Sequence, residues 1–251
     1  EAFVLPYDST SFFASCSNLT FHNFDYSVFG LGSSALSVTK INPTAIVIDS
    51  EIATNLIGMF RQNSSFLSSI SIKGTQITDL TQAFFANNFL NNSIYLDCPN
   101  AVLNLDSFLS SCSWFNSTVT FAVGTKPTIT RNMFYNCPSN SQFLTYDNSE
   151  NTDMFRMFAF NSGFNQPLDH LDYSKVQNID GFMLNKTAAN YSTANMDALY
   201  NKLDNAVGGL VFANMTNVNI NFGTINYTAA GAAARASLVS KGFIIISGVQ
   251  V

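Results

Sequence analysis

Phe60, Phe84, Phe108, Phe134, Phe158 and Phe182 follow one another at intervals of 24, 24, 26, 24 and 24 residues. Stepping the same register backwards lands on Leu36 and then on Phe12. A period in the twenties marks a chain built from one small structural unit per repeat, too small to bury its own apolar side. Such units stack and share a core, so the body is elongated and its function falls to a long side surface rather than a deep pocket.

Other positions recur with the phenylalanine. Six residues after it stands a second large apolar group, as Phe66, Leu90, Trp114 and Phe164. Ten to thirteen residues after it comes a short alternation: Ile70-Ser71-Ile72, Ile94-Tyr95-Leu96, Val119-Thr120-Phe121, and less cleanly Phe143-Leu144-Thr145 and Leu168-Asp169-His170. Alternation of this kind is the pattern of a half-buried strand. One strand per coil, stacked in register at about 4.8 Å, gives a parallel sheet. Upstream of the anchors lie Asn104, Thr130 and Asn178, four residues away, and Thr54, Thr78 and Thr152, six away. Thr and Asn cap helix N-termini, so the segments that follow, such as Asp79 to Phe84, are expected to form one or two helical turns. The expected fold is α/β: a leucine-rich-repeat-type solenoid of ~24-residue coils, each a short parallel strand plus a short helix.

A small-residue position four after the anchor carries Cys16, Asn88 and Cys112, with Cys137 at plus three. Zinc sites want paired ligands at close spacing, which this chain lacks, so these thiols read as small buried hydrophobes. Cys98, before Pro99, falls outside the register, which leaves both its exposure and a disulfide between adjacent coils open. Asn91 and Asn165, seven after their anchors, read as an asparagine ladder that pairs the exposed backbone of tight turns.

The segment Met157-Phe158-Ala159-Phe160-Asn161-Ser162-Gly163-Phe164-Asn165-Gln166-Pro167-Leu168, continuing to Ser174-Lys175-Val176-Gln177-Asn178, resembles the BspA-like leucine-rich-repeat surface family. Leu171 stands where that family's unit has a tryptophan. The last quarter is similar to the closing segment of such proteins, including tail-fibre-like products of bacteriophages. It pairs a helix near Asn195 to Tyr200 with an Ala-rich one over Ala229 to Ser240, stopped by Gly242 and followed by the strand-like Phe243 to Ile246. The ends of a stacked body need covering, so residues 1–186 are assigned to the repeat solenoid, with irregular coils over 1–46, and 187–251 to a C-terminal α/β cap. The resemblance implies a non-catalytic protein for adhesion, recognition or virion structure.

Composition narrows the partners. Charged residues make up 11% of the chain, against a globular norm of about 25%. The net charge is −5 and no basic cluster exists, which argues against a nucleic-acid partner. No apolar run reaches the length of a membrane span; Ile41 to Ile48 and Phe243 to Ile246 are strand-sized. Eight Asn-x-Ser/Thr sequons occur, at Asn18, Asn63, Asn91, Asn116, Asn185, Asn190, Asn214 and Asn226, but a chain so rich in these residues makes them by chance. His22 and His170 have no triad spacing around them. Asp169 and Asp172 flank His170 without a third partner, so no catalytic residue, cofactor or metal is assigned.

In a stacked sheet, the residues between the inward pairs form one solvent row. Here it reads Ser71, Tyr95, Thr120, Leu144 and Asp169, flanked by Lys73, Asp97 and Tyr146. Tyr is favoured in binding hot spots, so Tyr95 and Tyr146 lead this expected face. Its expected partner is a host cell-surface glycan or protein, or another virion or appendage subunit. The expected role is a virion structural or receptor-binding protein at a virion surface or in the extracellular space, with a bacterial cell-surface adhesin of the BspA-like type as the alternative and a glycan hydrolase as a distant third. No heptads specify an oligomer.

Overall fold

The computed structural model describes residues 46–49, 54–62, 69–88, 90–99, 102–142 and 144–251. Phe12, Cys16, His22, Leu36, Phe66 and Phe143 lie outside them.

Four strands pair in parallel in the order β1 (Ile46–Asp49), β2 (Ile70–Lys73), β3 (Ile94–Asp97) and β5 (Val119–Phe121). Ile46 faces Ile70, Ile70 faces Ile94, and Ile94 faces Val119. Successive strands are thus one lap of chain apart. The inward positions of this sheet are buried, among them Ile48, Ile70, Ile72, Ile94 and Leu96. A second, two-stranded sheet pairs β4 (Leu103–Asn104) with β6 (Pro127–Ile129).

The segments before the phenylalanines are not helices. Each is a run of turns bonded sideways to the next lap. In the second lap the N–H groups of Leu80, Gln82, Phe84 and Ala86 donate to the carbonyls of Asn104, Asp106, Phe108 and Ser110, at 2.8 to 3.0 Å. The residues between them donate three back: Ala83 to Leu80, Phe85 to Gln82, Asn87 to Phe84. The laps opening at Leu56, Leu105, Thr130 and Met154 repeat this alternation. Its geometric cost is regular too. The second and fourth crossing donors of every lap are left-handed: Gly58 and Gln62, Gln82 and Ala86, Ser107 and Ser111, Asn132 and Asn136, Arg156 and Phe160, with Gly181 and Asn185 continuing the row. A left-handed residue at every fourth position cannot continue an α-helix. A helix would also turn every N–H along its own axis, leaving the neighbouring lap's carbonyls unpaired.

The expected caps do different work here. Asn55, Asp79, Asn104, Asp153 and Asn178 accept through a side-chain oxygen from the N–H two residues on, opening the turn run. Thr78 and Thr152 instead donate to the carbonyls of Thr54 and Thr128, one lap back. Thr130 is buried and accepts from Asn151 Nδ2 at 2.7 Å.

This hydrogen-bond frame also revises the phenylalanine register. The N–H of Phe60, Phe84, Phe134 and Phe158 crosses to the next lap, whereas that of Phe108 and Phe182 bonds three back. Phe108 therefore occupies the place of Ala83 and Met133, and Leu109 is the true equivalent of Phe84. True laps run 24, 25, 25, 24 and 25 residues, measured over Leu56, Leu80, Leu105, Thr130, Met154 and Ile179. Ring geometry records the same slip. Phe60–Phe84 and Phe134–Phe158 stack at 13°, while Phe84–Phe108 and Phe158–Phe182 meet edge to face at 87° and 86°. Both arrangements suit the aromatic quadrupole. Downstream of the slip, Phe115 rather than Trp114 fills the place of Leu90: Phe115 is buried and Trp114 is 66% exposed.

The strand pattern stops after β5. Residues 144–146 and 168–170 form no strand. Pro167 lacks an N–H where a ladder would need one, and side chains link the laps instead. His170 Nε2 donates to Leu144 O at 2.8 Å, and Asn148 Oδ1 accepts from Asp172 N at 2.9 Å.

The turn ladder nevertheless runs on through the C-terminal segment. Met183 N donates to Asn221 O, Thr224 N to Lys186 O, and β7 (Asn219–Asn221) pairs in parallel with β8 (Ile244–Ile246). Two helices, α1 (Thr193–Asp204) and α2 (Ala229–Ser240), occupy the connections and pack together. Ser192 and Thr228 cap them. Asp197, buried on α1, accepts from the backbone N and hydroxyl of Thr228 at 2.9 and 2.6 Å, which sets a carboxylate at the positive end of α2. Gly242, left-handed at φ 102°, ends α2. The carbonyl of Ile245, turned away from β7, accepts from Arg235 Nη2 of α2 at 3.4 Å.

The slip has a direct test. Phe115→Ala should lower stability by about 3–5 kcal/mol, as for a buried aromatic, whereas Trp114→Ala should stay within about 0.5 kcal/mol. Urea unfolding followed by circular dichroism reads both; equal losses would restore the unslipped register.

Candidate recognition surface

Five of the eight residues expected on the binding row do share a face. Ser71, Tyr95 and Thr120 are direct neighbours across β2, β3 and β5. Lys73 and Asp97 oppose one another on the same side. Ser71, Lys73, Tyr95 and Asp97 are half-buried, and Thr120 is exposed.

The other three do not join them. Leu144 is buried, because the chain there leaves the strand path. Tyr146 packs against Phe121 at 5.3 Å between ring centres, and its hydroxyl accepts from Asn151 Nδ2 at 3.2 Å. Burial pushes its phenol up to about 12. Asp169 is exposed but lines a separate open cleft of about 380 Å³ against α1, with Ala198, Asn201, Lys202 and Asn205. The expected row is therefore a short patch on three strands, led by Tyr95 alone.

A buried column of polar groups lies behind the turn ladder. Asn87 Nδ2 donates to Phe60 O at 2.8 Å, Cys112 Sγ to Phe84 O at 3.0 Å, and Cys137 Sγ to Leu109 O at 2.8 Å. Each reaches the same carbonyl position one lap back. Asn87, not the exposed Asn88, is thus the equivalent of the cysteines. Asn161 and Lys186 continue the column. Cys98, whose exposure the sequence left open, is also buried, and its N–H donates to the buried Thr125 hydroxyl at 3.0 Å. Burial pushes the Cys98 and Cys137 thiols up to about 12 and Cys112 well above its ordinary value. Neutral thiols are poor nucleophiles.

Lys186 closes the column where the laps give way to the helices. Its Nζ donates to the carbonyls of Phe164 and Asn190 and lies 5.7 and 5.6 Å from the Phe164 and Tyr191 rings. Burial lowers its pKa from 10.5 to about 7.

The asparagine ladder is present and longer than the sequence suggested. Asn91 Oδ1 accepts from Asn116 N at 2.8 Å, and Asn116 Oδ1 accepts from Ser141 N at 3.0 Å. Asn165 Oδ1 accepts from Ser192 N at 2.8 Å. Asn116 stands 25 residues after Asn91; a fixed count from Phe108 passes over it by one.

On the outer side of the turn ladder, Arg131 lies between Asp106 and Asp153, at 3.7 and 3.6 Å, with its guanidinium 5.2 Å from the Phe155 ring. Among the described residues no group of three or more His, Cys, Asp or Glu side chains could hold a metal, and no helix is long and apolar enough to cross a membrane.

A family model described as "Mycoplasma protein of unknown function, DUF285" matches the chain twice, over residues 34–144 and 124–223. No curated protein and no solved structure matches it.

Two chemical tests follow. Iodoacetamide at pH 8 should leave Cys98, Cys112 and Cys137 unlabelled in the folded chain and label all three in guanidinium, as read by peptide mass mapping. Labelling of any of them in the folded chain would contradict its burial. For Lys186, the unfolded chain is protonated above pH 7 while the folded one loses its proton, so its contribution to stability rises with pH from about 7. Above pH 8 the buried thiols act oppositely, since they ionise only in the unfolded chain. Thermal unfolding of the wild type and Lys186→Met from pH 7 to 8 isolates the lysine: the wild-type Tm should rise relative to that of the variant as pH rises.

Proposed function

The chain belongs to the DUF285 family, and we propose that it is a non-catalytic surface protein whose stacked laps form a leucine-rich-repeat-type solenoid for recognition. The observation that carries this reading is the ladder itself. Its laps repeat at one spacing and present the same outward positions again and again, which builds extended surface rather than a closed pocket. The candidate chemistry of the sequence is also occupied otherwise: His170 ties two laps together through Leu144, and the three described cysteines serve as buried hydrogen-bond donors.

The cellular form of this reading takes precedence over the virion form. The two family matches span residues 34–223 together, and the family description names a cellular group. The virion form rests on the resemblance of the C-terminal segment and on the charge-poor, Asn-rich composition. The partner we propose is a glycan or protein on a host surface, with the β2–β3–β5 patch around Tyr95 as one contact face.

Fractionation of the source culture, with mass spectrometry of each fraction, tests the location. Peptides in the cell-envelope fraction, removed by protease added to intact cells, are the expected result. Banding with intact particles would instead favour the virion form. Recovery only from the cytosol would sink both.

A further inference from the structure

Trp114 is the single tryptophan of the chain, and it stands in water. The register slip puts it there: Phe115 takes the core place and the indole is left outside. Exposing so large an apolar ring forgoes roughly 1.5–3 kcal/mol of burial.

What surrounds the indole is as selective as the ring. The loop edge of the laps, residues 90–93, 113–118, 138–142 and 162–167, contains no Lys, Arg, Asp or Glu. Its exposed polar groups are amides and hydroxyls. Ser113 Oγ donates to Asn88 Oδ1 at 3.1 Å. Asn91 and Asn116 each turn Oδ1 along the ladder, to the backbone of the next lap. Their Nδ2 donors have no partner among the described residues, and both side chains are exposed. The two stand on adjacent laps, which lie about 4.8 Å apart.

We propose that this edge binds a neutral glycan, with Trp114 as the stacking platform and the Asn91 and Asn116 amides as donors to its hydroxyls. A sugar ring has one face of C–H groups, which suits the electron-rich face of an indole. Its rim of hydroxyls both donates and accepts, and uncharged amides match that without the desolvation of an ion. An anionic partner would call for Arg or Lys, which this edge lacks. Among the described residues of this edge Trp114 is the one exposed large apolar ring, and the groups beside it are polar. The proposal deepens the surface-recognition reading and rests on it, but uses a face other than the Tyr95 patch.

Because Trp114 is the only tryptophan, its fluorescence reports the site directly. Acrylamide quenching of the purified full chain is measured with chitotriose, cellotriose, maltotriose or lacto-N-tetraose at millimolar concentration, and the chain is then screened on a neutral-glycan array. At least one neutral glycan should protect the indole. Binding on the array should fall by about tenfold or more in Trp114→Ala, the loss expected of a hot-spot aromatic. It should weaken in Asn116→Ala and persist in Tyr95→Ala. Absence of binding by every neutral glycan, or equal binding by the wild type and Trp114→Ala, overturns the proposal. Location at the cell surface together with either of those results would remove this site and leave the surface reading standing. Recovery only from the cytosol would remove that reading whatever the array shows.

Discussion

The alternation of N–H directions along each lap is the constraint on which the rest depends. Every second N–H leaves the lap and meets a carbonyl of its neighbour; every other one closes a local turn. An unpaired buried amide costs of the order of 1–3 kcal/mol, so a lap in isolation would carry several such costs at once. Stacking removes them, and it does so only if adjacent laps hold the same conformation at the same positions. The left-handed row answers that requirement. Asn, which tolerates this region, occupies Asn132, Asn136 and Asn185, and glycine occupies Gly58 and Gly181. Ala86, Arg156 and Phe160 accept it under compulsion from the laps on either side.

Much of this was legible in the sequence and some was not, for identifiable reasons. The period, the strands at Ile70, Ile94 and Val119, the asparagine ladder and both C-terminal helices follow from spacing and residue type. The turn runs do not, because Asn and Thr before an apolar pair signal a helix start and an Asx-opened turn equally well. What separates the two is whether the next N–H turns along the chain or across to another lap, and that is a tertiary fact. The one-residue slip was hidden for a related reason. Phe108 and Leu109 are both apolar, so a search for phenylalanine chooses Phe108 while the hydrogen bonds choose Leu109. That choice moves Cys112, Phe115 and Asn116 into line with Asn87, Leu90 and Asn91, and it releases Trp114. The interval of 26 residues between Phe108 and Phe134, odd among 24s, was the visible sign of it.

The buried column shows how the core tolerates polar groups. At Phe60, Phe84 and Leu109 the carbonyl faces inward, and a donor of the next lap reaches it: an amide once, a thiol twice. A thiol suits this place because it is small and apolar, yet can still donate weakly. At the end of the laps the same column receives Lys186, whose long stem spans to the Phe164 carbonyl among aromatic rings. Among the described residues the ammonium makes no salt bridge, and burial depresses its pKa. The column thus ends in the group least suited to burial, at the junction where α1 and α2 take over the covering of the core.

Stacking also governs where charge can sit. A position repeated from lap to lap recurs every ~4.8 Å, and two like charges at that distance repel by about 1 kcal/mol even in water. The columns respect this. At the turn-opening position Asp79 lies between Asn55 and Asn104, and Asp153 between Ile129 and Asn178, so no two carboxylates are neighbours. Where acids do approach, Arg131 is placed between Asp106 and Asp153. On the strand face Lys73 stands opposite Asp97. A residue whose side chain must open a turn, satisfy backbone and repeat without repulsion is best met by an uncharged amide. The Asn-rich, charge-poor composition is therefore a consequence of how the laps stack. It leaves an outer surface whose polar groups are mostly amides and hydroxyls rather than ions.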